Sequence, residues 1–271
     1  MLWKGRPTLP FLYFWDELPE SLSINAFQMN RMKISIIGYG KMGKEIAHMA
    51  KQRGHDISLI IDQENQSDLG QKKLQTTDVA IEFTTPEAAP QNILACFKAG
   101  IPVVSGTTGW HTELVRIQNE CVRGNHAFFY APNFSIGMNL FFKINEMVGI
   151  WMNQLEAYDV RVTETHHTQK MDKPSGTAVA LAQDLVRVLD RKNNWKSNPE
   201  NEWKMEDIPV YSKRTGSIPG THVITWDSPV DLIELKHEAK NRTGFALGAL
   251  LAAEYLQNRK GVFGMKDLLG F

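Results

Sequence analysis

The sequence predicts an α/β protein: a Rossmann-type doubly wound parallel sheet, followed by a second α+β domain built on a mixed sheet. Three observations carry this reading. Short apolar strand patterns alternate with helical ones from Lys33 to Tyr130. The first of those strands runs into Gly38-Tyr-Gly-Lys-Met-Gly43 at the mouth of a helix. Beyond Ser135 the style changes to long helical patterns and strands that alternate apolar and polar residues.

Taken in order, residues 33–37 form an apolar strand, and a helix follows with Met42, Ile46, Met49 and Ala50 on one side and Gly54 as its stop. Residues 57–61 form a second strand that ends in Asp62. Strand, Gly-x-Gly-x-x-Gly, helix, strand and acid together make the pattern of a dinucleotide site. The glycines let the backbone turn tightly and approach a pyrophosphate on the helix N-terminus, and Asp62 accepts hydrogen bonds from ribose hydroxyls. Gly38, Tyr39, Gly40, Lys41, Met42, Gly43 and Asp62 are therefore assigned to NADH or NADPH. Asp62 repels a 2′-phosphate and Gln63 offers no compensating charge, whereas Lys41 could neutralise one, so the choice of dinucleotide stays open.

Residues 65–78 are polar and read as a loop with little structure. A third strand at 79–83 leads into Thr84-Thr85-Pro86-Glu87, a helix-start signature; Ile93, Leu94, Phe97 and Gly100 support that helix. A fourth strand at 102–104 ends in Ser105-Gly106-Thr-Thr-Gly109, a helix follows with Leu114, Ile117 and Cys121, and a fifth strand spans 127–130. Ligands of such sheets lie at the carboxyl ends of the strands. Gly106, Thr107 and Thr108, with Ala131, Pro132, Asn133 and Phe134, occupy such ends and are assigned to the cofactor, although turn chemistry alone would also account for them.

Residues 137–155 read as a long core helix rich in Met, Phe and Ile. An alternating strand at 158–166 then delivers Glu164-Thr-His-His-Thr-Gln-Lys-Met-Asp-Lys-Pro-Ser-Gly-Thr-Ala178, and a helix begins near Thr177 with Leu181, Leu185, Val188 and Leu189 at helical spacing. The unpaired N–H groups of that helix, together with Ser175, Gly176 and Thr177, form an anion site beside Lys170 and Lys173. His166 and His167 can hold or release a proton near neutral pH. Binding an anion and delivering a proton suits a small carboxylated or phosphorylated substrate; hydrogen-bonded histidines beside an ordinary helix entry are the plainer alternative. No metal site is expected, because adjacent strand residues point to opposite faces and no His-x-x-x-His or Cys-x-x-Cys pair accompanies them.

Residues 191–205, polar with Trp195 and Trp203, read as an exposed connection. Strands at 221–226 and 232–237 form a hairpin or meander, and Thr243 caps a last helix with Ala246, Leu250, Ala253 and Leu256 on one side.

Lys plus Arg and Asp plus Glu both total 30, with no long run of one sign, which argues against nucleic-acid and membrane-surface partners. Cys96 and Cys121 fall in apolar helix patterns and read as buried reduced thiols of a cytoplasmic protein. The best apolar run, 245–256, is short and holds Gly248 and Glu254, so no transmembrane span is expected. Residues 1–31, aromatic and broken by proline, lack the basic start, apolar run and cleavage site of a signal peptide and are expected to be a dispensable extension.

Ile37–Gly43, Glu82-Phe-Thr-Thr-Pro-Glu87, Gly106–Gly109, Ala131-Pro-Asn-Phe-Ser-Ile-Gly137, His166–Ala178 and Arg214-Thr-Gly-Ser-Ile-Pro-Gly-Thr-His222 together resemble the bacterial 4-hydroxy-tetrahydrodipicolinate (dihydrodipicolinate) reductase family, from about residue 32 to the end. The resemblance implies an NAD(P)H-dependent reductase of the diaminopimelate route to lysine, acting on a small dicarboxylate. It implies His166 as proton donor, Lys170 as second catalytic residue, and His167, Gly176 and Thr177 as substrate contacts. It also implies a homotetramer assembled through the second domain, and a dinucleotide domain of residues 32–131 and 241–271 around a substrate domain of 132–240. Between Trp226 and Leu232 this chain is shorter than many members. Another two-domain Rossmann dehydrogenase, or a redox sensor that binds dinucleotide without turnover, are rival readings; neither gives a reason for the His166–Thr177 string.

Overall fold

A computed structural model describes residues 31–199 and 204–271, so the expectation about residues 1–31 lies, but for Arg31, outside the described chain. Two compact units form: one takes in the described chain through Gly38, Ala50–Tyr130 and Leu251–Phe271, the other Tyr39–Met49 and Ala131–Leu250.

The first unit holds a six-stranded parallel sheet in the order β11-β5-β4-β3-β1-β2. Its strands are β1 (Lys33–Ile37), β2 (Asp56–Ile61), β3 (Val79–Glu82), β4 (Val103–Ser105), β5 (Ala127–Tyr130) and β11 (Gly261–Phe263). Helix α1 (Lys41–Gln52) follows β1. Helices α3 (Ala89–Ala99) and α4 (His111–Arg123) bury Ile93, Cys96, Phe97, Ile117 and Cys121 in a core shared with Ile37, Ala80, Val103 and Phe128. Burial on that scale, at about 25 cal/mol per Å² of apolar surface, is what holds the layers together. Both thiols are free and buried, and burial pushes Cys121 up to about 11.

Three readings need correction here. Residues 65–78 are not a bare loop: a 3-10 turn (Gln66–Leu69) and α2 (Gln71–Leu74) fold there, because Leu74 buries completely in the core. Helix α3 starts at Ala89 rather than at Thr84-Thr85-Pro86, and Pro90 lies in its first turn, where a missing N–H leaves no helical bond unmade. Strand β11 and helix α8 (Met265–Leu269) were not anticipated; three residues carry no readable period.

The second unit holds a five-stranded mixed sheet, β10-β9-β6-β8-β7. Strand β6 (Asp159–His166) runs antiparallel to β9 (Gly220–Asp227) and parallel to β8 (Asp207–Arg214), which pairs in parallel with β7 (Asn194–Ser197). Strands β9 and β10 (Leu232–Ala239) form the expected hairpin, closed where the Ser228 N–H donates to the Asp231 carbonyl at 3.0 Å. Residues 191–205 are not simply an exposed connection, since β7 forms within them and Trp195 packs against the core. The edge position of β7 leaves most of its side chains in water, and Pro209 within β8 reads as a strand breaker in the sequence, so neither showed a clean alternation.

Helices α5 (Ile136–Met152) and α6 (Gly176–Val188) cover one face of this sheet. Only one side of α5 is core, through Met138, Phe141, Asn145, Gly149 and Met152; Leu140, Ile144, Met147, Ile150 and Trp151 are exposed, which corrects the reading of this helix as core throughout. Helix α7 (Thr243–Tyr255) is buried on more than one side, with Ala249, Leu251 and Ala252 as covered as the expected Ala246, Leu250 and Ala253. Among the described residues no helix is long and apolar enough to cross a membrane.

Candidate active site

The face of the second sheet that α5 and α6 cover changes character along its strands. Val160, Val162, Ile208, Val210, Ile224 and Trp226 make one end apolar. At the other end the same pleat presents Glu164 and His166 on β6, Ser212 and Arg214 on β8, and Gly220 and His222 on β9. Strand pairing puts His237, His222, Glu164 and Ser212 in one row and sets His166 against Arg214. Residues far apart in sequence thus become neighbours at the carboxyl end of β6.

Glu164 is fully buried, and its Oε2 accepts from His166 Nδ1. Its Oε1 accepts from Arg214 Nη1 at 2.9 Å and from the Ser175 N–H at 3.3 Å. Burial alone would raise this carboxyl, but the bonds from His166 and Arg214 overcome it and hold the group at about 2. His222 stacks edge-on against His166 with ring centroids 5.2 Å apart, and burial lowers it to about 3, so it stays neutral. Glu164, His166 and His222 each bring a ligand-type atom within 4.8 Å of the others. Both carboxylate oxygens are already engaged, one of them by a cation, so these bonds are internal to the protein.

Ser175 caps α6, its Oγ accepting from the Ala178 N–H at 3.2 Å, and Gly176 opens the helix with no atom within 4 Å of the place a Cβ would take. Lys170 pairs with Asp172 at 2.8 Å. A cavity of about 220 Å³ collects His166, His167, Lys170, Thr177, His222, His237 and Asn133 in its walls. The buried Nδ1 atoms of His167, His222 and His237 have no hydrogen-bond partner among the described residues. Buried polar atoms without partners are rare, and their concentration around one cavity suits a polar ligand.

Of the residues expected at the substrate, His166, His167, Lys170 and Thr177 thus fall in this cavity's walls and Ser175 and Gly176 in the helix entry beside it, whereas Lys173 is exposed and does not line it. Arg214, His222, His237 and Gly220 were not foreseen as site residues, although three of them belong to the Arg214–His222 string that carried the resemblance. The signal for them was the alternation of His, Gly and Arg on strands whose pairing the sequence does not state.

The expected cofactor residues divide differently. Because all strands of the first sheet are parallel, Gly38, Asp62, Gly106, Thr107 and Thr108 follow strands at one edge. Gly38 has φ +94°, and a Cβ there would lie 2.0 Å from the Phe83 carbonyl oxygen, so packing against the end of β3 demands glycine. Gly40 is exposed with nothing within 4 Å of an added Cβ, one residue before α1 begins, which leaves room for a phosphate on a helix N-terminus. Tyr39, Lys41 and Met42 flank it, and Gly43 is buried inside α1. Asp62 is exposed, its Oδ1 accepting from the Glu64 N–H. These residues fit a dinucleotide. The Thr107 hydroxyl is already committed: it accepts from the Thr84 N–H at 2.7 Å and donates to buried Glu82 at 2.8 Å, while Thr108 is exposed. Burial raises the Glu82 carboxyl, opposed by bonds from Ser105, Thr84 and Thr107. Ala131 and Phe134 are buried, Pro132 is exposed, and Asn133 lies in the wall of the second unit's cavity.

Comparison with known proteins adds to this geometry. Residues 32–134 match the family model described as dihydrodipicolinate reductase, N-terminus, and residues 137–269 that described as its C-terminus. The 4-hydroxy-tetrahydrodipicolinate reductase of Christiangramia forsetii is 44% identical over 239 residues, spanning 88% of this chain and 98% of that protein. The enzyme of the same name from Thermosipho africanus is 33% identical over 242 residues, again spanning 88% and 98%. A dipicolinate-bound dihydrodipicolinate reductase from Paenisporosarcina sp. TG-14 superposes with a TM-score of 0.73 at 23% identity, covering 88% of this chain and 99% of that one. An amine dehydrogenase from Mycobacterium smegmatis reaches 0.51 at 12% identity over 86% and 94%, a likeness of fold alone.

Proposed function

The chain belongs to the dihydrodipicolinate reductase family, and on that footing we propose that it reduces 4-hydroxy-tetrahydrodipicolinate to tetrahydrodipicolinate in diaminopimelate and lysine biosynthesis. The observation that carries this reading is the cavity where an ammonium, a helix entry and several imidazoles converge. The hydroxylated substrate loses its hydroxyl as water to give the dihydro form. One hydride and one proton then add across a conjugated double bond of the ring. A bound nicotinamide dinucleotide supplies the hydride.

The protein's own residues do the rest. Lys170 and the N-terminus of α6, with Ser175, Gly176 and Thr177, hold a carboxylate of the substrate. His167 contacts the same ligand. His166 delivers the proton to the carbon adjacent to the one that takes the hydride, from the ring nitrogen that Glu164 does not engage. We assign residues 32–131 and 241–271 to dinucleotide binding and 132–240 to substrate and assembly.

The dinucleotide is NADH or NADPH. Exposed Asp62 favours ribose hydroxyls over a 2′-phosphate, and exposed Lys41 offsets part of that repulsion. We also propose a homotetramer assembled through the second unit. The edge strand β10, with Leu232 and Ile233 exposed, and the exposed apolar side of α5 support that assignment, and light scattering after size exclusion tests it. Two free buried thiols support a cytoplasmic setting.

The reaction is tested by condensing pyruvate with aspartate semialdehyde on the corresponding synthase, then adding this protein and NADH or NADPH. Loss of nicotinamide absorbance that depends on both the condensation product and this protein is expected. An unchanged absorbance with either dinucleotide would contradict the assignment.

A further inference from the structure

His166 and Glu164 stand two residues apart on β6, so the pleat puts both on the covered face. With Nδ1 bonded to the carboxylate, Nε2 is the nitrogen left for a ligand. Gly220 on β9 keeps that nitrogen accessible: a Cβ there would lie 2.9 Å from His166 Nε2. The other carboxylate oxygen does not face water but takes Arg214 Nη1 and the Ser175 N–H at the entry of α6. Arg214 reaches further. Its Nε donates to the Lys170 carbonyl at 3.3 Å and its Nη2 to the Asp172 carbonyl at 2.5 Å. One ion pair, its carboxylate buried and its guanidinium half-buried, therefore touches the imidazole, the helix entry and the backbone that carries Lys170.

We propose that Glu164 and Arg214 are a positioning pair for the reaction: Glu164 fixes the ring of His166 by holding its Nδ1–H, so that Nε2 carries the transferred proton, and Arg214 locks Glu164 and the Lys170 loop to one another. A buried carboxylate with a cation on one oxygen remains an acceptor on the other, and an acceptor at Nδ1 leaves Nε2 for the ligand. The other titratable or charged groups facing His166 do not supply this. His222 on β9 is held neutral by burial, Lys170 on the loop is a cation paired with Asp172, and His237 of β10 is lowered by burial. The inference rests on the reading of His166 as proton donor, but it makes separate demands.

The test uses the full chain. For Glu164→Gln we expect kcat to fall roughly ten- to a hundredfold, less than loss of the general acid itself. Glu164→Asp, which keeps an acceptor for the Nδ1–H, should recover part of that loss, as a positioning role requires. The dissociation constant for NADH should stay within about twofold. Arg214→Gln should raise KM for the dicarboxylate more than it lowers kcat, because it frees the Lys170 loop. A purely structural pair would instead lower the folded fraction and leave kcat of the surviving folded enzyme at the wild-type level, and that outcome overturns the proposal. A second measurement needs no variant: with 15N-labelled histidine in the wild-type chain, His166 should carry a proton on Nδ1 at neutral pH. A bare Nδ1 overturns the proposal even if the enzyme turns over. Absent turnover with a protonated Nδ1 would instead sink the assigned reaction and leave the pairing intact.

Discussion

His55 donates from Nε2 to Glu254 Oε1 at 2.9 Å, joining the turn after α1 to helix α7 across 199 positions of chain. The direction is fixed because His55 Nδ1 accepts from the Met32 N–H at 3.3 Å. Arg53 forks onto the same carboxylate, Nε to Oε1 and Nη2 to Oε2, both at 3.0 Å. Glu254 thus explains itself: the one acidic side chain in a nearly all-apolar helix is the partner of a buried imidazole and a half-buried guanidinium. Glu254→Ala should cost about 3 kcal/mol in denaturant unfolding, the usual effect of breaking a buried pair, with kcat of the folded enzyme unchanged.

The two leading glycines of the turn should separate by property. Gly38→Ala has no room against the Phe83 carbonyl and a positive φ, so it should fold poorly. Gly40→Val meets nothing in the protein, so its unfolding midpoint should stay near wild type while NADH binding weakens roughly tenfold or more, about 1.4 kcal/mol. Calorimetric titration beside thermal unfolding separates the two effects. Unchanged NADH affinity in Gly40→Val would remove the phosphate from this turn.

His222 should make the protein acid-sensitive. Burial lowers its folded value to about 3 from an ordinary 6.5. Above pH 6.5 neither state binds the proton and the stability is intact; as pH falls from 6.5 towards 3, the unfolded chain takes a proton that the folded one refuses. That loss approaches about 1.4 kcal/mol per pH unit. Glu164 adds a similar loss below its ordinary 4.5, down to about 2. His222→Gln should therefore flatten the urea midpoint between about pH 6 and 4 relative to wild type. An equal slope in both proteins would place the acid sensitivity elsewhere.

How much of this was legible depends on whether an element carries its own period. Strands β1 and β5 lie at the residues expected, since each is a short apolar run between turn signals. The glycine turn, Asp62 and the His166–Thr177 string were readable because local spacing defines them. The edge strand β7 and the Pro209-bearing β8 were not, and with them went Arg214 as a neighbour of His166. His222 and His237 needed the register of two antiparallel ladders, which the chain specifies only through the packed sheet. The helical spacing of α5 announced an apolar helix but not that half of it stays uncovered.

Removal of the imidazole or the ammonium that we assign to catalysis should act on chemistry and not on dinucleotide binding. His166→Ala and Lys170→Ala should each lower turnover at least about a hundredfold, as general acids contribute some 10²–10⁴. Fluorescence titration with NADH should give wild-type affinity in both. Parallel loss of NADH binding would argue that these residues serve the fold or the cofactor instead.

The most direct measurement is a crystal structure of the full chain with NADH and dipicolinate bound together. One carboxylate of the diacid is expected beside Lys170 and the entry of α6, with the nicotinamide ring against the diacid ring and His166 Nε2 within hydrogen-bonding reach of it. Dipicolinate bound away from His166 and Lys170, or a nicotinamide ring far from it, would contradict the account.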